Sequence, residues 1–280
     1  WQRDDLRYII AKRILEIYAS RGSVATGVKS AIPLVMNSDV EKEIKKFQGG
    51  ERSFLVESYR RAGRYQDMIT AKLKKAGLPE ELCWLPLVES GFKVKALSRA
   101  RALGAWQFIS STGYKFGLKR NHWVDERMDV EKSTDAAIEY LKQLHGIFGD
   151  WLSALAAYNC GEGRVLKVIS RQHVKYLDNF WDLYRELPYE TARYVPRFLA
   201  VVHIVKDPAK YGIDLSGNRD APIPCETVNV KKSMKLKDVA CKLKCSDDIM
   251  YTLNPELRYQ TTPDSEYDLK VPKGTGIQFE

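Results

Sequence analysis

The sequence predicts a mainly α-helical protein that closes with a small strand-helix-helix-strand unit. Apolar residues recur at helical spacing through the first 210 residues, with no run of strand-like alternation to interrupt them. Between residues 211 and 225 the composition turns to Gly, Ser, Asn, Asp and Pro, with Pro222 and Pro224 close together, and only beyond this stretch does a β-type run begin. With 280 residues, the chain has the length for about two domains.

Taken in order, residues 4–19 place Leu6, Ile9, Ile10, Ile14, Leu15 and Tyr18 on one helix face, and 40–47, 54–61 and 65–76 continue as short amphipathic helices broken by Gly. Ser133 or Thr134 is expected to cap a helix whose stripe is Ala136, Ala137, Tyr140, Leu141, Leu144 and Phe148, with Gly149 as its stop. Helices over 151–158, 163–171 and 190–205 complete this part. After the polar stretch come a strand at 227–230, helices at 236–243 and 247–253, and a strand at 267–271.

Composition narrows the function classes. Apolar residues at 44% and charged residues at 29% are globular proportions, and no run approaches the roughly 18 apolar residues of a membrane span. The chain opens at Trp1 without a signal-like pattern, so any export signal or membrane anchor is expected outside this sequence. The net charge is +9, yet residues 226–280 carry nine charges of each sign, so the excess sits in the first 225 residues. A basic body points to an anionic partner: nucleic acid, a membrane surface or an acidic cell-wall polymer. Stretches such as 72–75 nonetheless read as solvated helix faces. Five cysteines without CxxC, and four histidines without HExxH, give no basis for a metal or thioredoxin-type redox site, and no cofactor is expected. Cys83 and Cys160 read as core residues, while Cys225, Cys241 and Cys245 leave one disulfide open.

The most informative segment is LPEELCWLPLVESGF at 78–92. Pro79, Glu80 and Glu81 suit a helix start and Gly91 a helix stop. Between them the pattern is apolar on every side, which leaves Glu89 as a lone acid at the end of a buried helix. Burial and the negative helix end would both raise its pKa and keep it a proton donor near neutrality. The competing reading pairs Glu89 with one of the many arginines. Glu57 repeats the Val-Glu-Ser context but precedes Tyr59, Arg60 and Arg61 on an ordinary amphipathic helix, and reads as a surface acid. Two further segments, GAWQFISSTG at 104–113 and AAYNCGEGRV at 156–165, supply an amide at Gln107, a phenol at Tyr158 and an amide at Asn159. Such groups suit a sugar site. Trp106 reads either as core or as a sugar platform.

In this order the segments resemble the soluble-lytic-transglycosylase family, with its goose-type lysozyme-like fold: ESGF at 89–92, Ser98, GAWQF, AYNCGEGRV, and ETARYV at 190–195. WVDER at 123–127 and the helical leader are most similar to the membrane-bound, murein-degrading members. The resemblance implies a helical leader at 1–60 packed on a lysozyme-like catalytic domain at 61–212. It also implies that Glu89 is the sole acid/base, that Ser98, Gln107 and Asn159 bind acetamido groups or orient the acid, and that Tyr158 and Tyr194 line the cleft. Two departures stand out: Arg101 occupies a position usually held by Gly, where φ > 0 is costly for Arg, and Cys160 replaces Ala. After a linker at 213–225, residues 226–275 are similar to a LysM module, a βααβ fold that binds peptidoglycan, although Ser233, Met234 and Lys235 stand where Gly-Asp-Thr is usual.

The function so implied is cleavage of the β-1,4 bond between N-acetylmuramic acid and N-acetylglucosamine, with 1,6-anhydromuropeptides as products and without metal or cofactor. The expected partner is the peptidoglycan glycan strand, met by a monomer in the periplasm or cell envelope, with any outer-membrane anchor outside this sequence. The alternatives are a non-catalytic wall anchor whose cleft Arg101 has spoiled and a hydrolytic lysozyme. A nucleic-acid binder ranks last, because no basic helix with base-reading residues stands out. A hydrolase needs a second carboxylate. Asp125 and Asp129 read as polar-loop residues, Asp150 as a cap, Glu162 as a glycine-flanked acid and Glu190 as a helix-start acid, so none makes a good partner.

Overall fold

A computed structural model describes residues 31–172 and 179–278. The helix expected at 4–19 lies outside the described residues. The chain is mainly helical and divides into two compact units, one of residues 1–56, 70–88 and 137–216, the other of 57–69, 89–136 and 217–280. Among the described residues no helix is long and apolar enough to cross a membrane, and no disulfide forms, Cys225 and Cys241 lying exposed as thiols.

The first unit is helical. Asn37 caps α1 (Ser38–Gln48) by accepting from Asp39 N and Val40 N, which satisfies two amides that have no partner inside the helix. The buried face of α1, formed by Val40, Glu43, Ile44 and Phe47, packs on α10 (Tyr189–Lys206). Glu43 is only 2% exposed and accepts from Arg193 Nε at 2.8 Å and Lys46 Nζ at 2.6 Å. Burial opposes its charge, but these two cations outweigh burial and hold its pKa below the usual carboxylate value. Helix α6 (Val130–Phe148) runs into α7 (Trp151–Cys160), whose apolar sequence buries every side chain from Trp151 to Ala157. Asp150 caps α7 through Ser153 N. Helices α8 (Glu162–Arg171) and α9 (Phe180–Leu183) follow.

The start of α6 differs from expectation. Asp129 is the cap, its Oδ1 accepting from Glu131 N and Lys132 N, and Ser133 and Thr134 lie inside the helix, donating to the carbonyls of Asp129 and Val130. An ionised carboxylate is a stronger acceptor at the positive helix end than a hydroxyl, so the helix begins four or five residues early.

The second unit includes parts of α2 (Arg52–Ala62) and α3 (Gln66–Lys75), the loops after α4 (Leu85–Ser90), α5 (Ser110–Lys115), and the C-terminal module. The module follows the expected order: β1 (Cys225–Val230), α11 (Leu236–Lys242), α12 (Asp247–Leu253) and β2 (Tyr267–Pro272). The strands pair antiparallel, Cys225 opposite Pro272 and Val230 opposite Tyr267. Its core joins Leu236, Val239, Ala240, Met250, Leu269 and Val271 with Val124 from far upstream, and Trp123 packs against the same cluster. A backbone bond from Asp125 N to Glu256 O and another from Arg258 N to Trp123 O extend this seam. Upstream of β1 the chain is held against α2: Asp220 N donates to Arg60 O, the Arg60 guanidinium pairs with the Asp220 carboxylate, and Arg219 stacks over Tyr59. A Cβ on Gly63 would come within 2.6 Å of Arg219, so this close approach requires glycine.

Candidate active site

The segment expected as one buried helix divides in two. Pro79 precedes a 3-10 turn, Glu80–Trp84, which passes into α4. Residues Leu82 to Leu87 are buried, but Val88, Glu89 and Ser90 are half-buried, which corrects the expectation that Glu89 is enclosed on every side. Gly91 at φ 61° and Phe92 at φ 58° turn the chain away directly after α4, so the last helical turn stands at an edge. Two bonds secure that edge: Ser90 Oγ donates to Ala105 O at 2.9 Å, and Arg61 Nε donates to Gly91 O at 2.7 Å. Glu57 is a surface acid, 54% exposed and paired with Arg60 at 3.2 Å.

Residues 96–108 of the same unit build the loop that carries Ser98 and Gln107. Gly104 N donates to Ala96 O, and Leu103 N to Phe108 O. Gln107 Nε2 donates to Ala96 O at 3.0 Å and Gly104 O at 2.8 Å. Both amide hydrogens thus brace the loop and leave Oε1 as an acceptor. Ser98 Oγ accepts from Ala102 N at 3.0 Å and keeps a hydroxyl proton to donate. Trp106 is fully buried with Nε1 donating to Thr134 Oγ1 at 2.9 Å, so it is core and not a sugar platform.

The backbone of this loop is strained. Arg101 lies at φ 61° and Gln107 at φ 50°, each in the left-handed region that costs a non-glycine residue about 1 kcal/mol. Arg101 therefore adopts the conformation for which glycine is suited. Arg127 holds the loop there, donating to Arg101 O at 3.1 Å and Phe108 O at 3.0 Å while it grips Asp125 through Nε at 2.9 Å and Nη2 at 2.7 Å. Gly104, at φ 92°, approaches the same residue so closely that a Cβ would sit 1.9 Å from Arg127 O. Asp125 and Asp129, expected in a polar loop, are 3% and 2% exposed, because Arg127 and the C-terminal module cover them. This bracing role was not read from the sequence. The Asp-x-Arg spacing, which lets a guanidinium fold back on the carboxylate two residues before it, was the available signal.

Tyr158, Asn159 and Tyr194 fall in the first unit, whereas Glu89, Ser98 and Gln107 fall in the second. Tyr158 and Asn159 end α7. Asn159 Oδ1 accepts from Thr191 Oγ1 at 2.8 Å, tying the end of α7 to α10. The Tyr158 ring lies 5.2 Å from that of Tyr140, whose hydroxyl donates to Glu162 at 3.3 Å. Burial, then the Glu162 charge, push the Tyr140 phenol well above its ordinary value. Tyr194 is buried on α10. Burial also raises the Cys160 thiol, which keeps it protonated at neutral pH. Among the described residues no cluster of three His, Cys, Asp or Glu side chains is arranged to hold a metal ion.

Residues 67–180 match the transglycosylase SLT domain, and residues 224–280 match the LysM-like domain of lytic transglycosylase MltD. Over 236 residues the chain is 37% identical to membrane-bound lytic murein transglycosylase D of Escherichia coli (strain K12), a span that covers 84% of this chain and 51% of that protein. A protein of Alteromonas sp. (strain M-1) named for tributyltin chloride resistance is 43% identical over 111 residues, 39% of this chain and 54% of its own. Peptidoglycan transglycosylase gp16 of Escherichia phage T7 is 35% identical over 105 residues, 37% of this chain and 8% of its own. The chain spans about half the length of the murein transglycosylase it matches.

Proposed function

Residues 67–180 of this chain are an SLT-type transglycosylase domain and residues 224–280 an MltD-type LysM-like domain, and from that membership we propose that the chain cleaves the β-1,4 bond between N-acetylmuramic acid and N-acetylglucosamine in peptidoglycan without consuming water. Glu89 protonates the bridging oxygen, and the substrate's own acetamido group assists at the anomeric carbon. The ionised Glu89 then takes the proton of the muramyl C6 hydroxyl, whose oxygen closes on the anomeric carbon to give the 1,6-anhydro product. The proton count balances and Glu89 ends protonated, ready for the next turn. Ser98, as a donor, and Gln107 Oε1, as an acceptor, complement the two halves of an acetamido group. The resemblance assigns sugar contacts to Tyr158, Asn159 and Tyr194 as well.

The observation that carries this reading is the fate of the other acids in the Glu89-bearing unit. Asp125 is held by Arg127, Asp129 caps α6, and Glu126 accepts from Lys132 Nζ at 2.6 Å and Lys119 N at 2.7 Å. Each of these three is already engaged, which supports a reaction with one acid; without a second carboxylate to attack the sugar or activate a water, the substrate's own hydroxyl is the nucleophile on this reading. The intact strained loop at Arg101 favours an enzyme over a spoiled wall anchor. Peptidoglycan is a cell-envelope polymer, so a monomer acting in the envelope is the corresponding setting. Digestion of sacculi in oxygen-18 water tests the chemistry: unlabelled anhydromuropeptides are expected. Reducing-end muropeptides that carry the label would identify a hydrolase.

A further inference from the structure

We propose that the Glu89-bearing unit holds a second, anion-binding site that takes an acidic peptide, which on the reading above is the carboxylate-bearing stem peptide of peptidoglycan. The site is a cavity of about 350 Å³ bounded by the end of α2 and the turn after it, the loop after α4, Asp220 upstream of β1, and α12 of the C-terminal module. Arg60, Arg61, Arg64, Lys93 and Lys95 line it. Among the described residues that line it, two are carboxylates, Asp220 and Asp248, and Glu57, outside the lining, pairs with Arg60 and more distantly with Arg61. Asp220 is already committed, paired with Arg60 and lying 3.9 Å from Arg64.

The cavity therefore keeps a positive excess, and parts of that charge are buried. Arg64 Nε is shielded from solvent and makes no hydrogen bond, a donor left over in a wall where buried donors are normally matched. Burial, with the neighbouring Arg60 charge acting in the same direction, lowers the pKa of Arg61. Its pairing with exposed Glu57 is long, at 3.7 Å. An incoming carboxylate would supply the missing acceptor, and arginine forks bind carboxylates through paired charge-assisted bonds. Tyr251 and Thr252 of α12 form part of the wall, giving a peptide backbone a polar and aromatic surface to lie on. Lys93 and Lys95 are exposed and come four and six residues after Glu89, so they extend the positive field toward the loop of Ser98 and Gln107.

The test uses the full chain and a synthetic stem peptide, L-Ala-γ-D-Glu-meso-diaminopimelate-D-Ala, titrated calorimetrically beside the same peptide with its carboxylates amidated and beside inorganic phosphate. The acid peptide is expected to bind, and Lys93→Gln/Lys95→Gln and Arg64→Gln to weaken it about tenfold or more each. The lysine variant changes only exposed side chains, so an unaltered unfolding midpoint should accompany its loss of binding. Equal affinity for the amidated peptide, tighter binding of phosphate, or undiminished binding in the lysine variant would overturn the site. Binding is read without glycan or turnover. A chain that binds the peptide yet leaves sacculi intact would overturn the reaction and keep the site, whereas one that cleaves sacculi and ignores the peptide would do the reverse.

Discussion

Lys270, on the last strand of the C-terminal module, places Nζ 2.9 Å from Asp129 Oδ2, while the other oxygen of Asp129 caps helix α6. Beside them Glu256 is 3% exposed and accepts from the Tyr267 hydroxyl at 2.6 Å. Burial works against the Lys270 charge, but Asp129 and Glu256 outweigh it and raise its pKa. The module is thereby joined to the segment that also carries Arg127, and Arg127 holds the strained loop of Ser98 and Gln107.

Removing the lysine charge should loosen that joint. Lys270→Met removes the cation bonded to Asp129 and leaves Lys132, itself paired with Glu126, as a positive charge still acting on Asp129 and Glu256; breaking a buried pair by deleting one partner costs about 3 kcal/mol. Urea denaturation should show a loss of that order, and a loss under about 0.5 kcal/mol, the range of ordinary surface changes, would mean the pair is solvent-screened.

Stability should fall as pH rises above the ordinary glutamate value of 4.5. Burial, reinforced by the Asp129 charge, raises the pKa of Glu256 above that value in the folded chain. The folded state then binds more protons than the unfolded one between the two pKa values, so unfolding free energy decreases with pH across that window and levels off above the folded pKa. Glu256→Gln keeps an acceptor for Tyr267 but cannot ionise. Denaturation at several pH values should find this slope in the parent chain and a shallower one in the variant.

The strained loop that carries Arg101 makes two opposite predictions. Gly104→Ala drives a Cβ into Arg127 O and should cost several kcal/mol or prevent folding, since backbone cannot yield as a side-chain tip can. Arg101→Gly relieves a left-handed residue and should stabilise by about 0.5 to 1 kcal/mol. Thermal unfolding of both variants decides this, and a destabilised Arg101→Gly would show that the arginine side chain contributes more than its backbone costs.

Glu89→Gln preserves shape and removes the proton, and should reduce sacculus cleavage by at least about 10² to 10⁴ with the fold intact. Glu57→Gln should leave turnover unchanged. Near-normal activity in the first variant, measured by release of soluble muropeptides, would remove Glu89 from the mechanism.

Periodicity and local chemistry made much of this protein legible in its sequence. The apolar spacing announces the longer helices between 40 and 206 but not the short ones at 110–115 and 180–183, the change of composition at 211–225 precedes β1, and the Gly91 stop puts Glu89 at a helix end. Each depends on residues a few positions apart, whose geometry the backbone repeat determines. What the sequence left open was the environment of individual charges. Asp125 and Asp129 have the composition of a loop, and 213–225 that of a linker. In the folded chain the two aspartates are buried, and Asp220 is held by Arg60. Residues 226–275 are similar to a module that follows a linker, yet Val124 completes the core of that module. Asp129 and Lys270 are 141 residues apart, and no periodic signal links positions so distant. Burial is a property of the surfaces that meet, so which acids lose their water and which cations compensate them was decided only by tertiary packing.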